Sequence, residues 1–307
     1  MRILLTGSSG GIGWYVHREL EHAGHEVVAL GHEWLEATIR GDSRVHDVIR
    51  SCDAAVLCAA TPFKRDVSLF EQTFGDLTAV TSVLDKLTRK HVVFLSSATV
   101  YGASKGVDGW LSEGHADWSS AGSIGRAKLT IENLLSSRSG SGGYTVLRLC
   151  NVLSPREPHD RPGHAQVDFY RQIFVEQRQS IEIAHAHALK CWTWVGDVAT
   201  AVVHAVKSRP HGVYNIGSEN PGSVEGLARE MIVAGRRCGE LPYEYKPVLV
   251  PMLHEGDKHS ILPSMNRSRL AGFSACRNFY SAVEAFVKGK AVLAAQAKDK
   301  LVKDRAT

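Results

Sequence analysis

Along the first half of the chain, apolar runs of four to seven residues alternate with stretches whose apolar positions recur every three or four residues. The runs predict strands at Arg2 to Leu5, Glu26 to Leu30, Ala54 to Ala59, His91 to Ser96 and Thr145 to Leu149. The periodic stretches, such as Ile12 to Ala23 and Phe70 to Thr88, predict helices between them. Strands that are apolar throughout belong to a sheet covered on both faces, so the expected class is α/β with a parallel sheet. After Asn151 the texture changes, and SPREPHDRPGH reads as a long loop, placed to cover a substrate. A helix at Val198 to Ser208 and a strand at Gly212 to Ile216 then return the chain to the sheet. The expected organisation is one domain of residues 1–150 plus about 190–216, and a second, smaller and discontinuous one of about 151–189 and 217–307. The Ala- and Lys-rich tail from Lys288 predicts a solvated helix, and no internal repeat is visible.

Composition narrows the partners. With 36 Lys+Arg against 32 Asp+Glu the formal charge is +4, too balanced for a dedicated nucleic-acid binder, while 44% hydrophobic content supports a full-sized core. Six cysteines are scattered without a C-x-x-C pair, which argues against a metal site or a disulfide framework and fits a reducing, cytoplasmic compartment. MRILLTGSSGG lacks the charged-then-apolar pattern of a signal segment and no run reaches 18 apolar residues, so no membrane association is expected. His185 and His187, two apart, would share one face of a strand, but no third ligand lies near and no metal is expected.

The first chemical signal is TGSSGGIG, with Gly7, Gly10 and Gly13 between the first strand and the first helix. Glycines allow a tight turn and close backbone approach to a pyrophosphate, whose charge the helix N-terminus then holds, so Gly7, Gly10, Gly11, Ile12 and Gly13 are the expected cradle of a dinucleotide. The spacing resembles that of the short-chain dehydrogenase/reductases. Later segments extend the likeness in order: DAAVLCAA from Asp53, FLSSATVYG from Phe94, LRLCNVLSP from Arg148, KCWTWVGDVATA from Lys190, GVYNIGSENPGSVEGLA from Gly212, HEGD from His254 and NRSRLAGF from Asn266. Together they are similar to the extended short-chain dehydrogenase/reductases of the NAD-dependent epimerase/dehydratase family, whose nucleotide domain has the Rossmann fold.

The resemblance implies roles. Asp42 stands for the adenine-side acid, and Ala59 and Ala60 for the strand end near the nicotinamide ribose. Lys128 matches the lysine that holds this ribose, and Ser97, with Thr99 beside it, matches the hydroxyl that binds the reacting oxygen. In that family a tyrosine four residues before the lysine carries the proton; here the residue is Ile124, which carries none. Three outcomes are open: another proton carrier drawn from Tyr101, His159, His164 and Cys150; a relay through Ser97 and water or the substrate itself; or loss of the redox step, leaving a non-catalytic NAD(P)-binding regulatory protein. Tyr101, Asn151, His159, His164 and His254 are the candidate substrate contacts. Trp192 and Trp194 are expected in the core. Ala98 and Thr99 replace the carboxylates that family dehydratases and decarboxylases carry, so epimerisation or alcohol/ketone oxidoreduction is favoured over both. The substrate class implied is a polyol, sugar or nucleotide sugar; His254 in place of a phosphate-gripping arginine weakens the nucleotide-sugar case. The cofactor is NAD or NADP. The residue after the second strand is Gly31, which admits either; Glu33 would favour NAD, and His32 or Arg44 NADP, and the family's habit tips toward NAD. A homodimer is expected by resemblance alone.

Overall fold

The computed structural model describes residues 1–31, 37, 40–58, 78, 80–104, 106, 108–138, 142–158, 164–252, 260–274 and 276–306, with backbone only for 300–306. The chain divides into two compact units. One comprises Met1–Cys150, Val195–Gly217 and Pro263–Ala275; the other comprises Asn151–Trp194, Ser218–Leu262 and Cys276–Thr307.

The first unit is a doubly wound Rossmann sheet. Its labelled elements are β1 (Arg2–Thr6), α1 (Gly13–His22), β2 (Glu26–Leu30), α2 (Ser43–Arg50), β3 (Ala54–Leu57), β4 (His91–Ser97), α3 (Ser123–Ser137), β5 (Tyr144–Leu149), α4 (Val195–Ser208) and β6 (Gly212–Ile216). The six strands lie in the order β6-β5-β4-β3-β1-β2, and all five pairings are parallel. Each strand expected here is present with ends shifted by two residues or fewer, except that Ala59, the expected end of β3, lies outside the described residues. The central strands β1, β3 and β4 are buried on consecutive positions, as a sheet with helices on both faces requires. Leu4, Ala55, Val92, Phe94 and Val146 share one core with Val45 and Ile49 of α2 and Ile131 and Leu135 of α3. Within the segment Phe70 to Thr88, residues 80–84 are helical and 70–77 lie outside the described residues. The order in which strands are added to the sheet reverses between β1 and β3, so the loops after these two strands flank the switch point where open α/β sheets bind their ligands.

At the opposite, N-terminal ends of the strands, His91 is 2% exposed and its Nε2 lies 2.9 Å from Thr145 Oγ1. The Thr145 hydroxyl donates its hydrogen to Pro210 O at 2.5 Å, so the imidazole Nε2 is the donor in this pair. Burial pushes the His91 pKa down to about 4; a hydrogen bond with the Gly142 backbone raises it, and Arg209 and His211 push it down further. The unfolded chain, with a histidine pKa of about 6.5, therefore binds the proton more readily than the native state between about pH 6.5 and 4. Stability is lost as the pH falls through that window, by about 3 kcal/mol in full. His91→Gln is expected to remove this part of the acid sensitivity, read as a smaller shift of the urea midpoint between pH 7 and pH 4.5 than in the parent. Equal shifts would show that His91 is not the sensor.

In the second unit Trp192 is buried, donates Nε1 to Gly222 O at 2.9 Å, and packs with Phe169, α5 (Val224–Arg237) and α6 (Phe279–Ala306) in one apolar core; Trp194 packs against its margin. The tail helix begins at Phe279, nine residues before the expected Lys288, because Ala282, Val283, Phe286 and Val287 give its first half a buried face. His185 and His187 are not on a strand: the strand Ser180–Ala184 ends before them and they sit in a turn, with His185 at a φ of 54°. They therefore do not share a strand face, and no metal-binding cluster occurs among the described residues. No described helix is long and apolar enough to cross a membrane.

Candidate active site

The loop after β1 is shaped by its glycines. Gly7 has a φ of 71°, in the left-handed region, and its carbonyl accepts the Gly10 amide at 3.1 Å. A Cβ on Gly13 would lie 2.0 Å from that same carbonyl oxygen, so only glycine lets the helix start fold back onto the loop. Helix α1 opens with no side-chain cap and no acid in its first turn. Its positive end is thus left for an anion, which fits the pyrophosphate that the GSSGGIG spacing calls for.

Strand β4 delivers Ser97 at its C-terminal end, and one 3-10 turn, Ala98–Tyr101, follows. The Ser97 Oγ accepts two hydrogen bonds from Thr99, one from its amide at 3.2 Å and one from its hydroxyl at 3.0 Å. Both act on the oxygen, so the Ser97 hydrogen is directed away from Thr99 and remains to be donated. Helix α3 reaches this turn through Gly125, where a Cβ would lie 2.5 Å from Thr99 O. That contact sets the height of the helix against the turn, and with it the positions of Ile124 and Lys128. Ile124 stands one turn before Lys128 and is 51% exposed. Lys128 donates Nζ to Leu95 O at 3.0 Å and lies 4.8 Å from the centre of the Phe94 ring. It is close enough to Cys58, just after β3, to oppose the effect of burial on that thiol; burial wins and the Cys58 pKa is pushed up to about 12. Cys58 is thus a neutral thiol at physiological pH, and its amide is held by Thr6 Oγ1 at 3.2 Å.

Below the Ser97 turn runs a buried polar network. Ser96 Oγ donates to Glu132 Oε1 at 2.5 Å, and Glu132 accepts Arg148 Nη2 at 2.7 Å through its other oxygen. Arg148 Nη1 reaches Glu113 O at 2.7 Å and Tyr101 Oη at 3.3 Å, while the Tyr101 hydroxyl donates to Asn215 Oδ1 at 2.5 Å. Burial works against the Arg148 charge, but Glu132 and Tyr101 more than offset it and the guanidinium pKa is raised.

These contacts correct two candidate proton carriers. Tyr101 is fully buried, its hydroxyl is committed to Asn215 and Arg148, and burial pushes its pKa up to about 12, so it neither reaches a substrate nor gives up its proton at neutral pH. Cys150 is 5% exposed, inside the fold. Asp117, near the start of α3, is held as an anion with a pKa of about 2 by hydrogen bonds from Ser119 and Ser120. Asp42 has an occupation that the sequence did not signal: it caps α2, accepting the Arg44 amide at 2.9 Å, and pairs with the Arg44 guanidinium at 3.1 Å. In the second unit, Asn151 is exposed on a short strand paired with Trp192–Trp194, and His164 pairs with Glu157, whose other oxygen accepts Gln166 Nε2 at 2.9 Å. Ala59, Ala60, His159 and His254 lie outside the described residues, as do His32 and Glu33. The structure thus brings Gly7 to Gly13, Cys58, Ser97, Thr99 and Lys128 onto the strand ends and α3 of one unit. Gly125 and the Glu132–Arg148 pair were missed from sequence; the only available signal was a glycine inside a helical pattern, a mark of close backbone approach.

The model of the NAD dependent epimerase/dehydratase family matches residues 3–217. No curated protein matches the chain. Among solved structures, UDP-glucose 4-epimerase from Thermotoga maritima, determined with UDP-glucose, superposes with a TM-score of 0.77 at 20% identity over 94% of this chain and 98% of that one. UDP-glucose 4-epimerase from Stenotrophomonas maltophila, with bound NAD and formylated UDP-arabinopyranose, has a TM-score of 0.75 at 19% identity, over 96% and 99%. RMD from Pseudomonas aeruginosa, complexed with NADPH, has a TM-score of 0.73 at 16% identity, over 94% and 98%. At these identities the likeness is one of fold.

Proposed function

The chain belongs to the NAD dependent epimerase/dehydratase family, and from that premise we propose that it binds NAD or NADP and oxidises, transiently or in net, a secondary alcohol of a sugar-like or nucleotide-sugar substrate. A bound nicotinamide supplies the hydride acceptor or donor. The chain's own residues do the rest. Gly7, Gly10, Gly11, Ile12, Gly13 and the open end of α1 hold the pyrophosphate, and Lys128 turns from Leu95 O toward the ribose. Ser97 is the observation that carries the reading: with its oxygen loaded by Thr99, its hydrogen is aimed outward at the reacting oxygen.

On this reading Ile124 takes the place of the family's tyrosine, and with Tyr101 and Cys150 buried and His164 paired with Glu157 the proton path that best fits is the one through Ser97 and a water. As the carbon loses hydride, the hydroxyl proton of the substrate passes to a water, while the Ser97 hydrogen holds the oxygen left behind. The relay lacks a group titrating near neutrality, at a cost of about 10²-fold or more in rate against a positioned acid/base. Epimerisation or simple alcohol/ketone chemistry is favoured over dehydration, because Ala98 and Thr99 offer no carboxylate for elimination.

Calorimetry with NAD and NADP, followed by turnover on a panel of UDP-sugars and free sugars, tests both halves. Ser97→Ala is expected to leave dinucleotide affinity unchanged and lower turnover by about 10²-fold, whereas Ile124→Tyr raises it by restoring a proton carrier. A Ser97→Ala rate within a few-fold of the parent would remove Ser97 from the mechanism. Binding without turnover on any substrate would favour the second reading, a non-catalytic NAD(P)-binding regulator, which the apolar side chain at Ile124 also suits.

A further inference from the structure

A cavity of about 330 Å³ opens beside α3, at the low end of the about 300–1,000 Å³ typical of small-molecule sites. Leu129 and Asn133 of α3 form one wall, Trp118 and Tyr144 supply aromatic surface, and Glu132 and Arg148 form the floor. Nothing in the proposed redox chemistry uses it.

The floor is chemically specific. Arg148 is 4% exposed, and a guanidinium carries five N–H groups. Nε–H is shared between the two Glu132 oxygens at 3.2 and 3.3 Å, the Nη1 pair goes to Glu113 O and Tyr101 Oη, and one Nη2 hydrogen goes to Glu132 Oε2. The second Nη2 hydrogen meets no acceptor among the described residues. A buried donor without an acceptor costs about 1–3 kcal/mol, a debt that an acceptor entering the cavity would relieve. Because Glu132 cancels the Arg148 charge, the floor has a donor to offer and no net charge, so it selects a neutral acceptor over an anion. At the mouth, Trp118 keeps 51% of its surface exposed, far more than a core tryptophan would. Asn133, exposed on α3, brings an amide side chain to the same cavity.

We propose that this cavity binds a neutral aromatic amide, with the ring against Trp118 and Tyr144, the carbonyl oxygen on the spare Arg148 Nη2 hydrogen, and the amide nitrogen toward Asn133. The site lies wholly within the first unit and is separate from the glycine loop.

The test uses indole-3-carboxamide on the full chain, by calorimetry and saturation-transfer NMR. Saturable binding with a millimolar or tighter dissociation constant is expected, unaffected by saturating NAD and at least fivefold tighter than that of indole-3-carboxylate. Trp118→Ala weakens it at least tenfold, and Asn133→Trp, on the exposed flank of α3, fills the mouth and abolishes it. Lack of saturable binding by the parent overturns the proposal. So does competition by NAD, preference for the carboxylate, or retention of affinity within twofold in both variants.

Discussion

Gly13→Ala is expected to weaken dinucleotide binding at least about 100-fold, or about 2.7 kcal/mol. The reason is steric and local. The added Cβ would be placed 2.0 Å from Gly7 O and 2.7 Å from Gly7 C, whereas real Cβ atoms essentially never approach another heavy atom within 3.0 Å. Relief requires the loop and the first turn of α1 to separate by about 1 Å or more, which redirects the amides proposed to hold the pyrophosphate. No flexible side chain is available to absorb the clash, because both contacting atoms are backbone. Calorimetry with the preferred dinucleotide reads the effect, with circular dichroism confirming that the sheet is retained. A dissociation constant within threefold of the parent would mean that the loop after β1 is not where the cofactor is held.

Glu132→Ala is expected to cost about 3–5 kcal/mol of stability, because it leaves the Arg148 guanidinium buried without its counter-charge. The carboxylate side chain is 6% exposed, that of Arg148 5%, and they meet at 2.7 Å. Arg148 is 4% exposed, and Glu113 O and Tyr101 Oη, its remaining partners, are neutral. Against a typical net stability of about 5–15 kcal/mol, the variant approaches the limit of folding. Ser96 loses its acceptor as well. The double variant Glu132→Leu with Arg148→Met removes both charges and is expected to recover much of the loss, since the penalty lies in the unpaired charge rather than in the absence of the pair. Urea midpoints of the parent, single and double variants measure this. A loss below about 1 kcal/mol in the single variant would show that Arg148 finds water.

The strands and the glycine loop were legible in the sequence because what specifies them is local. A strand buried on both faces must be apolar at successive positions, and Arg2–Thr6, Ala54–Leu57 and His91–Ser97 are buried in that way. The turn at Gly7 and the close approach at Gly13 are demands on the backbone within seven residues, written directly as glycines. The roles of Ser97, Lys128 and Ile124 rest on the resemblance of their motifs, as part of the proposed function.

Other features were not visible along the chain. Asp42 suggested an adenine contact, yet the helix that starts beside it takes its carboxylate as a cap. Tyr101 was expected beside the substrate, yet Asn215, 114 residues on, and Arg148, 47 residues on, close over its hydroxyl. Glu132 and Arg148, 16 residues apart and unremarked along the chain, become a buried pair only when α3 lies across β5. The sequence by itself determined the parallel sheet and the glycine loop after its first strand, since backbone geometry and strand burial are set by adjacent residues. The tertiary structure alone decided which hydroxyl keeps a free hydrogen, which tyrosine is sealed away and which charges are paired, because hydrogen bonding and desolvation depend on groups that are distant in the chain and meet only on folding.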